Sequence, residues 1–212
     1  MSDDLCEAVA AGGLLAPGRP VVSLLSGGRD SVCLLDVAVR ISGAVTALHV
    51  NYGLRPQADS DQRHCEALCA RLGVELRVVR AGPAPASGNL QAWARELRYR
   101  EAQRAAIDIA AGHTATDQVE TILYRLASSP SRRALLGMRE RDGRLIRPLL
   151  AFTRAQTTTH CAQRGLRWVQ DETNDSDVYA RGRVRGKLVP ALAAVHPAAQ
   201  RNVLALAEIL RQ

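Results

Sequence analysis

Val21-Val22-Ser23-Leu24-Leu25-Ser26-Gly27-Gly28-Arg29-Asp30-Ser31-Val32-Cys33-Leu34-Leu35-Asp36-Val37-Ala38-Val39 is the stretch that decides the fold. It opens on a short β-prone apolar run, Val21 to Leu25. It closes on a second run in which Val32, Leu35 and Val39, and Leu34, Ala38 and Ile41, recur at spacings of three and four, as on a helix face. Ser26 to Ser31 therefore sit where a strand turns into a helix. Such a turn gathers bare backbone N–H groups and a positive helix end at one place, which suits a phosphate. No Lys follows the glycines, so this is not the Gly-x-x-x-x-Gly-Lys-Ser/Thr loop, and the glycines are not spaced as in a dinucleotide fingerprint. A plain Ser/Gly turn with a capping Ser or Asp gives similar letters; the strand before and the helix after favour the phosphate loop.

Outward from this stretch, strand and helix patterns alternate. Strands are expected at Val21–Leu25, Val45–Val50, Val74–Val79, Ile107–Ala111 and Leu145–Leu149. Helices are expected at Val32–Ile41, Pro56–Leu72, Leu90–Ala106, Asp117–Ala127, Arg154–Arg164 and Ala198–Leu210. That alternation predicts an α/β fold, a parallel sheet covered by helices on both faces, whose ligands bind outside the carboxyl ends of the strands. Ala81–Asn89 and Ser128–Arg133 read as surface loops. A boundary is expected near Leu150, separating a catalytic domain of residues 1–150 from a basic helical extension of residues 151–212.

The 212 residues suffice for one large domain with an appendage. With 47% hydrophobic residues but only 3% aromatic, the core must be built of Ala, Leu and Val. No apolar run approaches a membrane span, and the acidic start Met1-Ser2-Asp3-Asp4 is unlike a signal peptide, so a soluble cytoplasmic protein is expected. Five scattered cysteines (6, 33, 65, 69, 161) read as reduced thiols, and the absence of Cys-x-x-Cys gives no support to a zinc or iron–sulfur site. The net charge of +7 is unevenly placed. Residues 1–131 carry thirteen Arg against fourteen acids, whereas residues 132–212 carry fourteen Arg and the sole Lys against seven acids. A basic end of this kind points to a polyanionic partner.

Further chemistry-bearing residues fall just after expected strands. His49 and Asn51 end the second one. His113 and Asp117 follow the fourth, where a His near a carboxylate could orient a nucleophile or take its proton; Asp117 with Glu120 also reads as a capping box. Arg95 and Arg98 share a helix face and could hold phosphate. Arg181, Arg183, Arg185 and Lys187 place four positive charges within seven residues, which suits an RNA backbone.

Taken in order, these segments resemble the tRNA(Ile)-lysidine synthetase family, within the PP-loop or N-type ATP pyrophosphatase superfamily. The resemblance runs from about Val21 to Pro190: Ser26–Ser31, His49–Leu54, Ala94–Tyr99, His113–Thr121, Leu135–Met138, Arg147–Leu150, Trp168–Asn174 and Arg181–Arg185. Thr114 and Thr116 replace a His and an Asp of the family pattern, Asn51-Tyr52 replaces part of the second motif, and Gly182 stands where Asn is usual. The resemblance implies a Rossmann-type, adenine nucleotide α-hydrolase-like domain that adenylates the wobble cytidine of an isoleucine tRNA. Free lysine is then joined to C2 of that base, with AMP and pyrophosphate released. It further implies ATP binding by Ser26, Gly27, Gly28, Arg29, Asp30, Ser31, His49 and Asn51, and Mg²⁺ on Asp30. Catalytic roles fall to Asp30, His113, Asp117, Arg95 and Arg98, with Asp117 and His113 positioning the lysine ammonium and helping to deprotonate it. tRNA contact falls to Arg132, Arg133, Arg147, Arg181, Arg183, Arg185 and Lys187. The expected partners are isoleucine tRNA, lysine and ATP, with no membrane and with a homodimer allowed. Another PP-loop enzyme (a tRNA thiolase or a small-molecule amidase) and a non-catalytic nucleotide- or RNA-binding relative stand as alternatives.

Overall fold

A computed structural model describes residues 4–105, 107–170 and 180–211. Its six-stranded sheet runs β3-β2-β1-β4-β6-β5, where β1 is Val21–Leu24, β2 Val45–Asn51, β3 Glu75–Arg80, β4 Asp108–Ala110, β5 Arg141–Asp142 and β6 Leu145–Ile146. All neighbours pair parallel except β5 and β6. The chain steps from β1 to β2 and β3 on one side, then returns to place β4 on the other side of β1. The strand order therefore reverses between β1 and β4, with Val21 level with both Val45 and Asp108. The carboxyl ends of those two strands flank the crevice in which such a sheet collects ligands.

Alternation along β1 divides the core. Val21 points into one layer with α2 (Arg29–Ser42), where Val32, Leu34 and Leu35 are fully buried, together with Cys65 and Leu68 of α3 (Ala58–Leu72). Val22 and Leu24 point to the other, with Leu48, Val50, Ile109 and Leu97 of α4 (Leu90–Gln103). A short α1 (Asp4–Ala11) contributes Cys6 and Val9 to the first layer. A third cluster joins Val119 and Leu123 of α5 (Ala115–Ser128) to the C-terminal helical region.

The expected elements are all present with shifted ends. β6 stops at Ile146 rather than Leu149, because Pro148 has no N–H to give a ladder; the Arg147 N–H still reaches the Glu140 carbonyl in register with β5. The α4 helix ends at Gln103, and Ala106, its expected last residue, lies outside the described residues. The segment read as a loop at Ser128–Arg133 runs into a single helical turn, α6 (Arg132–Leu135). Beyond residue 150, α7 (Arg154–Gln163) packs along α2. There, buried Asp36 receives His160 Nε2 at 2.9 Å and the Arg164 guanidinium at 3.3 Å. Burial alone pushes the Asp36 carboxyl up, but these two partners outweigh it and hold it below the usual carboxylate range.

The C-terminal helices are α8 (Ala180–Arg183), a π-helical turn (Val184–Leu188), α9 (Val189–Val195) and α10 (Ala199–Ile209). Among the described residues no helix is long and apolar enough to cross a membrane.

Candidate active site

The loop from Ser26 to Ser31 leaves β1 and enters α2. Gly27 adopts φ +85°, a left-handed conformation that side chains disfavour, and a Cβ there would lie 3.3 Å from the Cys65 sulfur. Ser31 Oγ donates to the Gly28 carbonyl at 2.7 Å and lies 3.0 Å from Ser26 Oγ, closing the loop on itself. Gly28 is the N-cap and brings no side-chain cap, so the first N–H groups of α2 face the crevice at the positive end of the helix dipole. The loop is braced from outside. The Val169 N–H donates to the Gly27 carbonyl at 2.9 Å, and His49 Nδ1 lies 2.9 Å from the Leu25 carbonyl. His49 is buried, its pKa is lowered chiefly by that burial, and its Nε2 has no hydrogen-bond partner among the described residues. The Asn51 amide is committed to the β2–α3 connection, donating to Asp59 and Gln62 and accepting from the Gly53 N–H.

Across the crevice, β4 leads through Gly112 into α5. A Cβ on Gly112 would lie 2.8 Å from the Asp30 carbonyl oxygen, so only glycine lets the two loops approach this closely. The helix begins two residues earlier than expected. Thr114 is the N-cap and Asp117 the N3 residue of a capping box, with the Asp117 carboxylate accepting from Thr114 N–H at 2.9 Å and from its hydroxyl at 2.8 Å. The box thus joins Thr114 to Asp117, not Asp117 to Glu120. Thr114, a departure from the family pattern, is the capping residue. Thr116, the other, accepts the Arg154 N–H at 3.2 Å.

Three carboxylates and three guanidiniums meet here. Asp30 is held by Arg29 (3.1 and 3.2 Å) and by the Thr157 hydroxyl at 2.6 Å. Arg154 stands 3.9 Å from Asp30, 3.6 Å from Asp117 and 3.8 Å from Glu120. Arg185 grips buried Glu120 with two contacts at 2.7 and 2.9 Å and lies 3.9 Å from Asp117. Glu120, Arg154 and Thr157 are the residues that sequence reasoning missed. Arg154 carried one legible signal: a cation in the first turn opposes the helix dipole and needs a partner elsewhere.

On the far wall, the Arg95 guanidinium lies 4.9 Å from the Tyr99 ring centroid and that of Arg98 5.7 Å. Tyr52, whose ring meets Trp93 and whose hydroxyl donates to the Ala94 carbonyl, pins the helix that carries them. His113 faces this basic group. Burial, then the charges of Arg147, Arg95, Arg98 and Arg181, lower its pKa to about 3, and its buried Nδ1 has no hydrogen-bond partner among the described residues. The ring is thus neutral at physiological pH, a hydrogen-bonding group and a weak base. Burial first, and then those four arginines, make the ring a weak base for the ammonium deprotonation that the resemblance implied. Because the folded ring takes up its proton near pH 3 and an unfolded one near 6.5, its contribution to stability is complete above pH 6.5. That contribution is expected to fall by up to about 1.4 kcal/mol per pH unit as acid is added below that point. His113→Gln is expected to flatten this acid limb in urea melts compared at pH 5 and pH 7; an unchanged limb would assign it to other groups.

The basic residues of the C-terminal part do not form one patch. Arg181, Arg183 and Lys187 are exposed, Arg181 donating to Thr121 at 3.2 Å, while Arg185 turns inward to Glu120. Arg132 and Arg133 are exposed, with Arg132 donating to the Leu210 carbonyl at 2.6 Å. Arg147 is 4% exposed and donates to the Arg139 carbonyl, so it is a buried residue and not part of an outer surface. Of the expected Trp168–Asn174 segment, Trp168 to Gln170 run beside the phosphate loop. Asp171 to Asn174, with Asp175 and Tyr179, lie outside the described residues.

The model of the PP-loop domain matches residues 11–192. The chain belongs to the PP-loop family. Among curated relatives of this PP-loop protein, a tRNA(Ile)-lysidine synthase of Thermus thermophilus is 38% identical over 203 residues, covering 92% of this chain and 40% of the relative. That of Chromobacterium violaceum is 40% identical over 179 residues, covering 79% and 41%. The chain thus spans less than half the length of these relatives. Among solved structures, the U34-tRNA thiolase NcsA of Methanococcus maripaludis superposes with a TM-score of 0.79 over 99% of this chain and 78% of its own. At 16% identity, that likeness is one of fold.

Proposed function

We propose that this PP-loop protein joins lysine to C2 of the wobble cytidine of an isoleucine tRNA through an adenylated tRNA. The observation that carries the reading is the crevice itself. An N–H-rich loop for phosphate faces Asp117, a partly exposed carboxylate for an ammonium, across Arg154, in a chain 38% identical to a tRNA(Ile)-lysidine synthase. In the first step the C2 oxygen attacks the α-phosphorus of ATP and pyrophosphate leaves. The first N–H groups of α2 and the Ser26–Ser31 loop stabilise the charge on the departing phosphates. Asp30, a partly exposed carboxylate beside those N–H groups, fits Mg²⁺, which takes one or two carboxylates together with substrate phosphates. Bound there, Mg²⁺ supplies neutralising charge. In the second step the lysine ε-amine attacks C2 and AMP departs with the C2 oxygen. Asp117, more exposed than Glu120, holds the incoming ammonium and takes the proton it loses before attack, and neutral His113 offers a hydrogen bond to the base or the amine. Arg95 and Arg98 steady phosphate or the adenylated base.

Residues 1–150, completed by α7, supply both half-sites, and the remaining basic helices supply the tRNA surface. The test is incubation with ATP, lysine and unmodified isoleucine tRNA, following AMP and the modified nucleoside. AMP release is expected to require both lysine and tRNA; release independent of tRNA would overturn the assignment. A thiolase reading needs a cysteine at the crevice, and the five cysteines are buried, Cys33 against Cys161.

For the RNA surface, exposed Arg183 and Lys187 are expected to contribute phosphate contacts. Changing both to Gln is expected to flatten the log–log salt dependence of tRNA binding by about 1.5–2 units, while ATP affinity stays unchanged. Filter binding across a salt series measures this, and parallel slopes would move the surface to Arg132 and Arg133.

A further inference from the structure

One face of α7 tracks the start of α2. Arg154, Thr157, Cys161 and Arg164 recur at spacings of three and four, a single helix stripe. Arg154 stands near Asp30, Thr157 bonds it, Cys161 Sγ reaches the Arg29 carbonyl at 3.7 Å, and Arg164 with His160 grips Asp36. Thr157 is fully buried. Its one proton has two acceptors in reach, the Arg154 carbonyl at 3.0 Å and Asp30 Oδ1 at 2.6 Å. The shorter, charge-assisted contact takes it. Arg29 holds the same carboxylate from the neighbouring residue. With Oδ1 fixed from the buried side, Oδ2 is the oxygen nearer Arg154, and Arg154 also borders Asp117 and Glu120.

We propose that Thr157 is a positioning residue for the phosphate loop, its hydroxyl fixing the Asp30 carboxylate so that Oδ2 faces the crevice between α2 and α5. The inference deepens the proposed function and rests on ATP binding at Ser26–Ser31. Helix α7 is thereby an outside support of the loop's one carboxylate, and the Asp36 ion pairs clamp that support in place two turns further on.

The decisive comparison is Thr157→Val, which keeps the shape and removes the hydroxyl, against Thr157→Ser, which restores it. Two readouts on the full chain are needed. Crystal structures without ligand report the Asp30 orientation: turned away in the Val variant and retained in the Ser variant. Retention in both overturns the proposal. Titration with ATP and Mg²⁺ is the second. Loss of one hydrogen bond to a charged group is expected to raise the Mg²⁺ concentration needed for half-maximal ATP binding roughly tenfold in the Val variant, with near-native behaviour in the Ser variant. Equal Mg²⁺ dependence in all three proteins overturns the proposal, as does equal impairment of both variants. If the wild-type chain binds no ATP, the proposed function falls, while the Asp30 orientation in the two crystal structures still decides the role of Thr157.

Discussion

Gly112→Ala is expected to cripple the site with the smallest possible change. The added methyl meets the Asp30 carbonyl oxygen at 2.8 Å and its carbon at 2.9 Å, both backbone atoms that no rotamer change can move aside. Either the start of α2 or the β4–α5 connection must retreat, at an overpacking cost of about 1–3 kcal/mol and with a Tm lower by a few degrees per kcal/mol. The phosphate loop shifts with it, so ATP affinity is expected to fall roughly tenfold or more, as a loss of about 1.4 kcal/mol already implies. Gly82→Ala is the matched control: nothing lies within 4 Å of that position and its φ is ordinary. Isothermal titration with ATP, beside thermal melts of both variants, measures the contrast. A Gly112→Ala protein with native affinity would mean that the two loops separate without consequence for phosphate.

Arg185→Ala is expected to have the largest effect on stability. Glu120 is 3% exposed and takes both of its short contacts from Arg185; Arg154, at 3.8 Å, compensates only in part. Leaving such a carboxylate without its partner costs about 3–5 kcal/mol, whereas removing both members of a buried pair is close to neutral. The double variant Glu120→Leu with Arg185→Leu is therefore expected to recover most of the melting temperature and none of the lysine-dependent AMP formation. Thermal melts and the tRNA assay on both proteins separate the pair's structural role from its chemical one. A single Arg185→Ala variant that melts like the wild type would place Glu120 in contact with water.

The fold was legible in the sequence because its signals are local. A β-prone run, adjacent glycines and a helix face at three-and-four spacing fall within twenty residues, and the same alternation repeats along the chain. Helix α5 was legible but its start was set two residues late, since Asp117 and Thr114 both belong to residue types that cap, and only the backbone shows which one accepts from the third N–H. The basic cluster misled for a geometric reason. Charges at every second residue look continuous in sequence, yet on a helix they alternate between faces, so Arg185 turns to Glu120 while Arg183 and Lys187 turn outward. Arg147 finds the Arg139 carbonyl only once β5 and β6 have paired, so nothing in its immediate sequence marks it as interior. Thr157 reaches Asp30 across 127 residues, and three consecutive threonines carry no periodicity that points there.

The bracing of the phosphate loop has a consequence for the order of assembly. The loop is encoded by residue 31, but its supports come from Gly112, Thr157 and Val169. A ribosome has therefore translated most of the domain before the last of these contacts can close. Contacts of such long sequence separation form late, after the loops between them have been closed at an entropic cost. An emerging chain acquires its central strands early and its nucleotide grip near the end. Under the proposed function ATP binds the arrangement these contacts complete, and so stabilises the last stage of folding rather than templating the first.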